Sequence, residues 1–488
     1  MLSRQINQKI AVSVVYVAAL FMTIMDSTIV NVALPTLGNE FHVETAAVNG
    51  VVIYYLVALA ATIPISGWLG DKLGGRRVLL GAILLFATAS ALCGMAQSLT
   101  QLETFRVLQG IAGGLMTPVG LAMLWRTFPP AERARASAIL VIPTALAPAL
   151  GPVLGGLFVT FVSWRWVFLV NVPVGLAAFF FGLVYLAGQH HGDAGKFDLA
   201  GFLLAGSGLS LLMYGLSQGP FAGWSQPTIL ASCLIGAALL VALVFIELRR
   251  TEPLLKLRLL GERLFGLSNA VMLLGGIAFI GTLFIVSLFY QDGLGLTAAQ
   301  AGLSIFPEAL GVMAGSQIVA KKLYPVFGPR RILFGALVLI AAMMLALTTV
   351  GPTTSLWWPR AMLFTMGMGM SGVFIPVQTA AFAATSHRDM GGASTLLSTQ
   401  QQLAGALGVA IMTTVFVAAG SVALPGGPAD LTPYRVAFAV AAVFALLGAG
   451  VALFIRDADA AATITRWRER PQEQPQGEVK AWGRPILK

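Results

Sequence analysis

Three ionisable side chains stand inside long apolar stretches of this 488-residue chain. Asp26 lies in the segment MDSTIVNVALP, Arg106 in LETFRVLQGIAGG and Glu308 in IFPEAL. A carboxylate near the middle of a bilayer costs about 2.5–3.5 kcal/mol on insertion scales, so such a residue usually faces water or the bundle interior and is functional. The chemistry these residues predict is the binding and release of protons or cations.

Asp26 is predicted to be a proton-coupling carboxylate, and Arg106 is its predicted counter-ion. Counted from the predicted outer helix ends, the two residues differ in depth by roughly 5 Å at ~1.5 Å per residue. An arginine side chain covers that gap, and pairing is the cheap way to keep both charges in a membrane. Two alternatives stay open. Asp26 could be a structural acid tied to Thr28, Asn31 or another arginine, and Arg106 could extend to the outer interface.

Glu308 is the second predicted intramembrane acid, and it follows a proline that distorts its helix. Its hypothesised role is to recognise cationic substrates or to carry a second proton. The alternative is a protonated side chain bonded to backbone. The predicted proton-coupling residues are thus Asp26, Arg106 and Glu308. The predicted substrate-binding residues are Asp26, Asn31, Glu308 and Gln109.

Composition places the chain among polytopic membrane proteins. Hydrophobic residues make up 57% and charged residues 10%, whereas soluble domains carry about 25% charged residues. The net charge of +10 indicates basic loops on one side of a membrane rather than a nucleic-acid partner. The sequence has no GxxxxGK[ST] phosphate loop, no metal motif and no nucleophile cluster in its spans. It therefore predicts no enzyme, metal or cofactor.

Hydropathy predicts an all-α protein with fourteen spans. A faint repeat, GWLGDKLGGRR at 67–77 and AKKLYPVFGPRR at 320–331, predicts two six-helix halves with an inserted pair between them, and a substrate site at their interface. The predicted domains are 1–187, the N-terminal half; 188–263, the linker and inserted helices; 264–456, the C-terminal half; and 457–488, a disordered tail. The predicted spans are about 10–36, 48–70, 78–97, 101–124, 135–161, 166–187, 199–217, 228–248, 265–290, 299–320, 331–350, 358–384, 391–419 and 434–455.

Loop charge predicts the orientation. Every even-numbered helix is followed by a basic segment, and few Lys or Arg residues fall elsewhere. The positive-inside rule then predicts a multi-pass protein of the cell (inner) membrane with both termini in the cytoplasm.

The segment GWLGDKLGGRR predicts a conformational latch. Gly67 permits close backbone approach, and Asp71 is expected to be surrounded by Lys72, Arg76 and Arg77. A charge cluster at a helix junction can hold two rigid bodies in one state and release them in another. The alternative is an ordinary basic loop.

The segment APALGPVLGG predicts a second gating element. Gly151 and Gly155 form a GxxxG face next to Gly156, and Pro152 belongs to the same pattern. The prolines at 143, 148 and 152 are expected to break the helix. The alternative is a generic packing face.

These motifs carry a family resemblance. In order and spacing the chain resembles the major facilitator superfamily, in its fourteen-helix drug:proton antiporter group of the EmrB/QacA type. SWRWVFLVNVPVG, FDLAG, EPLLKLRLL and YQDGLGLTAAQAGL also resemble that group. Departures occur at Gly75, where a basic residue is usual, at Ala147 in place of Gly, and at Gln401 in place of Arg.

The resemblance implies a drug exporter working by alternating access between the halves. Protons from outside would protonate Asp26 and leave inside as substrate departs, with Arg106 changing the proton affinity as it moves. The implied partners are small-molecule substrates, protons and the bilayer, and an adaptor protein only where the host has an outer membrane. The oligomeric state stays open. The main alternative is a dedicated exporter of an endogenous lipid, siderophore or metabolite; a membrane-embedded enzyme or a channel is another.

Overall fold

The computed structural model describes residues 7–43, 48–188, 195–383, 385–420 and 430–464, and its regular elements are helices. Fourteen long helices follow one another, separated by short connections. They are α1 Gln8–Phe41, α2 Gly50–Leu73, α3 Gly75–Gly94, α4 Leu99–Thr127, α5 Arg133–Phe161, α6 Asn171–Tyr185, α7 Leu199–Ala222, α8 Pro227–Arg249, α9 Arg263–Leu288, α10 Ala298–Ile318, α11 Tyr324–Leu347, α12 Trp357–Ala381, α13 Met390–Ala418 and α14 Thr432–Ala452.

The count of fourteen depends on one turn. Helical continuity and hydropathy alone delimit thirteen apolar stretches in the described residues, because Gln300–Leu347 counts as one stretch of 48 residues. Such a helix would be about 72 Å long at ~1.5 Å per residue, more than twice a bilayer core of about 30 Å. The backbone turns at Gly328, where φ is 75° and ψ is 173°, and Pro329 follows. The stretch is therefore two spans.

The predicted all-α architecture is confirmed, and the predicted spans overlap the observed helices one for one. Helix α5 differs from expectation in one respect. It is helical at every position from Arg133 to Phe161, so its prolines do not break it. Proline removes one backbone donor, but neighbouring helices can accommodate that loss in a membrane protein.

The helices pack in two groups of six, with the inserted pair at the side. Helices α7 and α8 pack on each other, and α7 also packs on α2 and α13, one from each group. Between the groups, α5 packs on α10 and α12, while α2 and α4 pack on α13. We call the end of the bundle where α1 begins and even-numbered helices end the basic side.

The segment expected to be disordered from residue 457 onward begins with ordered structure. Asp457–Thr463 forms a short 3-10 helix. Ala460 and Ile464 are buried, and the Asp457 carboxylate accepts from the Arg330 backbone N–H at 3.0 Å. The two buried apolar side chains and the Asp457 hydrogen bond to α11 supply the contacts that order this segment. Residues 465–488 lie outside the described part of the chain.

Candidate functional site

Asp26 and Arg106 form an ion pair inside the N-terminal group of helices. Arg106 Nη1 lies 2.5 Å from Asp26 Oδ2, and both side chains have no exposed surface. The pair joins α1 to α4. Arg106 therefore does not extend to the outer interface. Burying either charge alone would be strongly destabilising, so each residue compensates the buried charge of the other.

Three neutral side chains complete the environment of this pair. Gln109 donates to Asp26 Oδ1 at 2.8 Å and to Ser90 Oγ at 2.7 Å, while its Oε1 accepts from Arg106 Nη1 at 2.7 Å. Asn171, at the start of α6, also donates to Asp26 Oδ1, at 3.2 Å. All are fully buried. The carboxylate thus receives hydrogen bonds from α4 and α6.

The guanidinium of Arg106 is held by more than its acid. Its Nε donates to the Val51 carbonyl of α2 at 2.9 Å, and its Cζ lies 4.1 Å from the centre of the Tyr55 ring. Nη2 is buried and has no hydrogen-bond partner among the described residues. One nitrogen of the Arg106 guanidinium therefore lacks a described acceptor in this conformation.

The four residues predicted to bind substrate do not share one surface. Asp26 and Gln109 have no exposed surface, and Glu308 is 7% exposed. Asn31 of α1 is exposed, and its Nδ2 donates to the Ser27 carbonyl at 3.3 Å. Only Asn31 is thus accessible to a ligand in this conformation.

The glycine face of α5 packs on α1, the helix that carries Asp26. A Cβ on Gly155 would lie 2.9 Å from the Ile29 carbonyl and 3.3 Å from Val32 Cβ, and one on Gly151 would meet Thr28. Gly156 is different, because a Cβ there would have nothing within 4 Å among the described atoms. Two of the three predicted glycines are therefore close-contact positions. Pro152 lies in the helix, and its side chain is outside the described part.

At the basic side, α2 meets α13 through backbone. A Cβ on Gly67 would lie 3.0 Å from the Gly391 carbonyl and 2.7 Å from Thr395 Oγ1. Ser66 and Thr395 share a hydrogen bond of 3.2 Å. The sequence-predicted close approach at Gly67 is thus a contact between the two helix groups.

The Asp71 carboxylate has a different partner from the one expected. Arg126 of α4 donates to it at 2.6 Å and also donates to the carbonyl of His387, whose Nε2 lies 3.1 Å from the Arg126 carbonyl. Arg76 instead donates to the Leu183 carbonyl of α6. The prediction that the following basic residues surround Asp71 is wrong for Arg76. The loop turns at Gly74, where φ is 89°.

The Asp71 carboxylate also faces the first turn of α13. A Cβ on Gly391 would lie 2.9 Å from Asp71 Oδ2. The amino end of a helix carries partial positive charge, so an anion there is stabilised. The Asp71 carboxylate therefore contacts Arg126 of the N-terminal group of helices and lies against the amino end of α13 in the C-terminal group.

Further contacts close the same side. Ser137 and Thr379 share a hydrogen bond of 3.2 Å, and Arg133 donates to the Phe382 carbonyl. Among the described residues, the side-chain hydrogen bonds that join the two groups of six lie toward the basic side. The structure is therefore closed at that side.

Glu308 lies on the face of α10 that packs against α12. Its own carbonyl abuts Gly367 of α12. No described residue donates a hydrogen bond to its carboxyl group or forms an ion pair with it. Arg360 of α12 bonds Ser304, one helical turn earlier on α10.

Sequence reasoning missed four residues that build these contacts. Ser90 and Asn171 are single polar residues in apolar helices, and Arg126 reads as an ordinary loop cation. Nothing in the sequence around Arg360 indicates its partner. The signal available for Asn171 was an amide within the apolar stretch VFLVNVPVG. Their partners come from helices distant in the chain, which spacing does not reveal.

Comparison with known proteins identifies the family. Residues 16–409 match the Major Facilitator Superfamily. The chain is 34% identical to a "Multidrug resistance protein B homolog" of Mycobacterium tuberculosis (strain ATCC 25618 / H37Rv) over 405 residues, covering 82% of this chain and 75% of that protein. It is 32% identical to the "Putative multidrug resistance protein MdtD" of Serratia proteamaculans (strain 568), covering 80% and 82%. These relatives confirm the resemblance to the drug:proton antiporter group.

Solved structures share the fold. The human organic anion transporter MFSD10 (TETRAN) superposes with a TM-score of 0.65 at 17% identity, covering 91% of this chain and 99% of that one. The proton:xylose symporter XylE gives 0.62 at 14% identity, covering 91% and 95%. At these identities the likeness concerns the fold alone. With the family match over most of its length, the chain belongs to the major facilitator superfamily of membrane transporters.

Proposed function

We propose that the protein is a proton-coupled exporter of lipophilic, cationic drugs. The observation that carries the proposal is the buried pair of Asp26 and Arg106, held by Gln109 and Asn171. A buried acid whose cationic partner sits on another helix can change its proton affinity when the helices move. The multidrug-resistance names of the relatives support drugs as the cargo.

The basic side is assigned to the cytoplasm by its loop charges. The contacts of Asp71, Ser137 and Arg133 then make this conformation closed to the cytoplasm. Alternating access requires these contacts to open while the other side closes. The exposed Asn31 fits the state that faces outward.

The proposed cycle transfers one proton at Asp26. When Arg106 withdraws, an uncompensated carboxylate in a dry environment is costly, so Asp26 takes a proton from the outside and becomes neutral. When Arg106 returns in the inward-facing state, the O–H bond breaks, the proton passes to cytoplasmic water, and the ion pair re-forms. The α1–α5 glycine contact lets α1 shift relative to its neighbour without interlocked side chains.

The proposed substrate surface lies between the two groups of helices and includes Asn31. Asp26 and Gln109 contribute only in states where α1 and α4 separate. Glu308 either recognises the positive charge of a substrate or carries a second proton.

The experiment is reconstitution into liposomes with an enclosed pH dye and a chemically mixed panel of cationic, neutral and anionic compounds. We expect an outward-to-inward proton gradient to drive export of several lipophilic cations. Transport of a single compound would indicate a dedicated exporter. Transport that ignores the gradient would overturn the proposal.

A further inference from the structure

Glu308 and Arg360 lie on facing helices, one turn apart, without touching. Arg360 Nε and Nη2 lie 3.3 and 3.2 Å from Ser304 Oγ. Ser304 and Glu308 are four residues apart on α10, so their side chains share one face of the helix. Arg360 therefore bonds a neutral hydroxyl one turn away from a buried acid.

The two helices meet at backbone contact along this face. A Cβ on Gly367 of α12 would lie 3.0 Å from Val312 N and would overlap the Glu308 carbonyl, and one on Gly311 of α10 would overlap the Phe364 carbonyl. Such glycine contacts allow close packing and sliding. A shift of one turn along an α-helix is about 5.4 Å, which is within the reach of an arginine side chain.

Neither Glu308 nor Arg360 forms an ion pair with a described residue in the observed state. Glu308 is 7% exposed and has no described hydrogen-bond or ion-pair partner. Arg360 is half-buried, and its described partners are Ser304 and the Trp357 ring, 5.2 Å from its Cζ. An unpaired acid at this depth is neutral, hydrated or matched by a ligand.

The remaining charged groups on the helices around Glu308 lie elsewhere. On α5, Arg133 and Arg135 occupy the first turn at the basic side. Beyond the end of α10, Lys321 and Lys322 lie more than three turns from Glu308. Asp292, before α10, is exposed. The Tyr290 hydroxyl is buried without a described hydrogen-bond partner. Arg360 is thus the cation placed to meet Glu308.

We propose that Glu308 and Arg360 form a second proton-exchange site, in the C-terminal group of helices, whose acid is neutral in the observed state. When the Glu308 O–H bond breaks and its proton passes to water, Arg360 leaves Ser304 and pairs with the new carboxylate. Re-protonation from the other side returns Arg360 to Ser304. The proposal rests on proton-coupled export and makes Glu308 a proton carrier rather than a contact for cationic substrates.

The first test needs no substrate. Infrared difference spectra of the purified protein at stepped pH should show a carboxylic-acid C=O band at neutral pH that Glu308→Gln removes. In Arg360→Gln the band should persist to higher pH by about 1–3 units, since an opposite charge nearby favours ionisation by that amount. Lys322→Gln is the matched control, because it removes a distant exposed cation. An absent Glu308 band in the wild type, or an unmoved titration in Arg360→Gln, overturns the proposal.

The second test counts protons per substrate in liposomes with ethidium and a neutral compound as probes. Glu308→Gln should remove one proton per cycle for both probes, while Asp26→Asn abolishes gradient-driven transport. A defect confined to ethidium would make Glu308 a substrate contact and overturn this proposal. Unaltered exchange in Asp26→Asn would instead defeat the assignment of Asp26 in the proposed function and leave the Glu308 result to be judged separately.

Discussion

Lys256 forms a 2.6 Å ion pair with Asp389 and so fastens the connection after the inserted helices to the start of α13. The side chain of Lys256 also lies against the same helix, because a Cβ on Gly392 would be 2.9 Å from its Cδ. The neighbouring Gly391 faces Asp71. The inserted pair is thus connected, through one lysine, to the closed basic side.

The ion pair between Lys256 and Asp389 should persist across the neutral pH range. Burial raises the pKa of Asp389, but hydrogen bonds from Lys256 and Ser386 and the charges of Lys256 and Arg388 outweigh it, so the pKa lies below its ordinary value. A depressed carboxyl pKa contributes stability above the unfolded value of about 3.9 and loses it as pH falls through the folded value. The ion pair should therefore persist at neutral pH and break only when acidification carries the pH below the ordinary carboxyl range, through the lowered pKa of Asp389.

Lys256→Gln should shift the protein toward states open at the basic side. Pairs exposed by about a third are worth about 0.2–1 kcal/mol, a change of roughly 1.5- to 5-fold in the open fraction. A buried reporter at the start of α13, Ser394→Cys, replaces a hydroxyl that has no described hydrogen-bond partner. It should react faster with an impermeant thiol reagent applied at that side. The exchange Lys256→Asp with Asp389→Lys should restore the slow rate. An unchanged rate in Lys256→Gln would mean that the pair has no part in closure.

Asp26→Asn should abolish proton-driven transport and leave the protein folded. The amide keeps the shape of the carboxyl group and can still accept from Gln109, but it cannot exchange a proton. The measurement is proton–substrate exchange in liposomes beside a thermal unfolding midpoint in detergent. Wild-type exchange rates in this variant would refute the coupling role.

Arg106→Ala should lower the thermal unfolding midpoint of the protein. It leaves the Asp26 carboxylate buried without its cation, which costs about 3–5 kcal/mol for a broken buried pair. The thermal midpoint of Arg106→Ala should rise when Asp26→Asn is added, because the stranded charge is then gone. If Arg106→Ala alone and Arg106→Ala combined with Asp26→Asn unfold at the same temperature, the result would contradict the pairing.

Gly155→Leu should block transport while the protein still accumulates in the membrane. The leucine would push α5 from Ile29 and Val32 of α1. The adjacent Gly156→Leu is the matched control, since a Cβ there meets no described atom within 4 Å. Efflux is measured at matched expression, and equal losses in both variants would show that the α1 contact is not the cause.

Both chain ends should lie in the cytoplasm. Paired reporter fusions, one in the α7–α8 connection at Gly223 and one at Lys488, should report opposite sides of the membrane. The reason is the positive charge after every even-numbered helix. A C-terminal reporter active outside the cytoplasm would reverse the assignment of the basic side.

The helices were predictable because apolar length is a direct requirement of the bilayer. The Asp26–Arg106 contact was also predictable, since two charges of opposite sign at similar depth have few other partners. Arg126 shows where prediction from sequence stops. It follows the predicted span 101–124 as one of several basic residues, and its partner Asp71 is 55 positions away. The roles of Ser90 and Asn171 could not be predicted either. A single polar residue in an apolar helix forms no periodic pattern, so the sequence does not indicate which residue it bonds.

The positive φ of Gly328 has a consequence for biogenesis. Without that turn the apolar stretch 300–347 would enter the membrane as a single segment, and the number of crossings would become odd. Every loop that follows would then be delivered to the wrong compartment, including the start of α13, which must meet Asp71 and Lys256. A turn at this position is therefore needed for the last three helices to take the orientation that the loop charges assign to them.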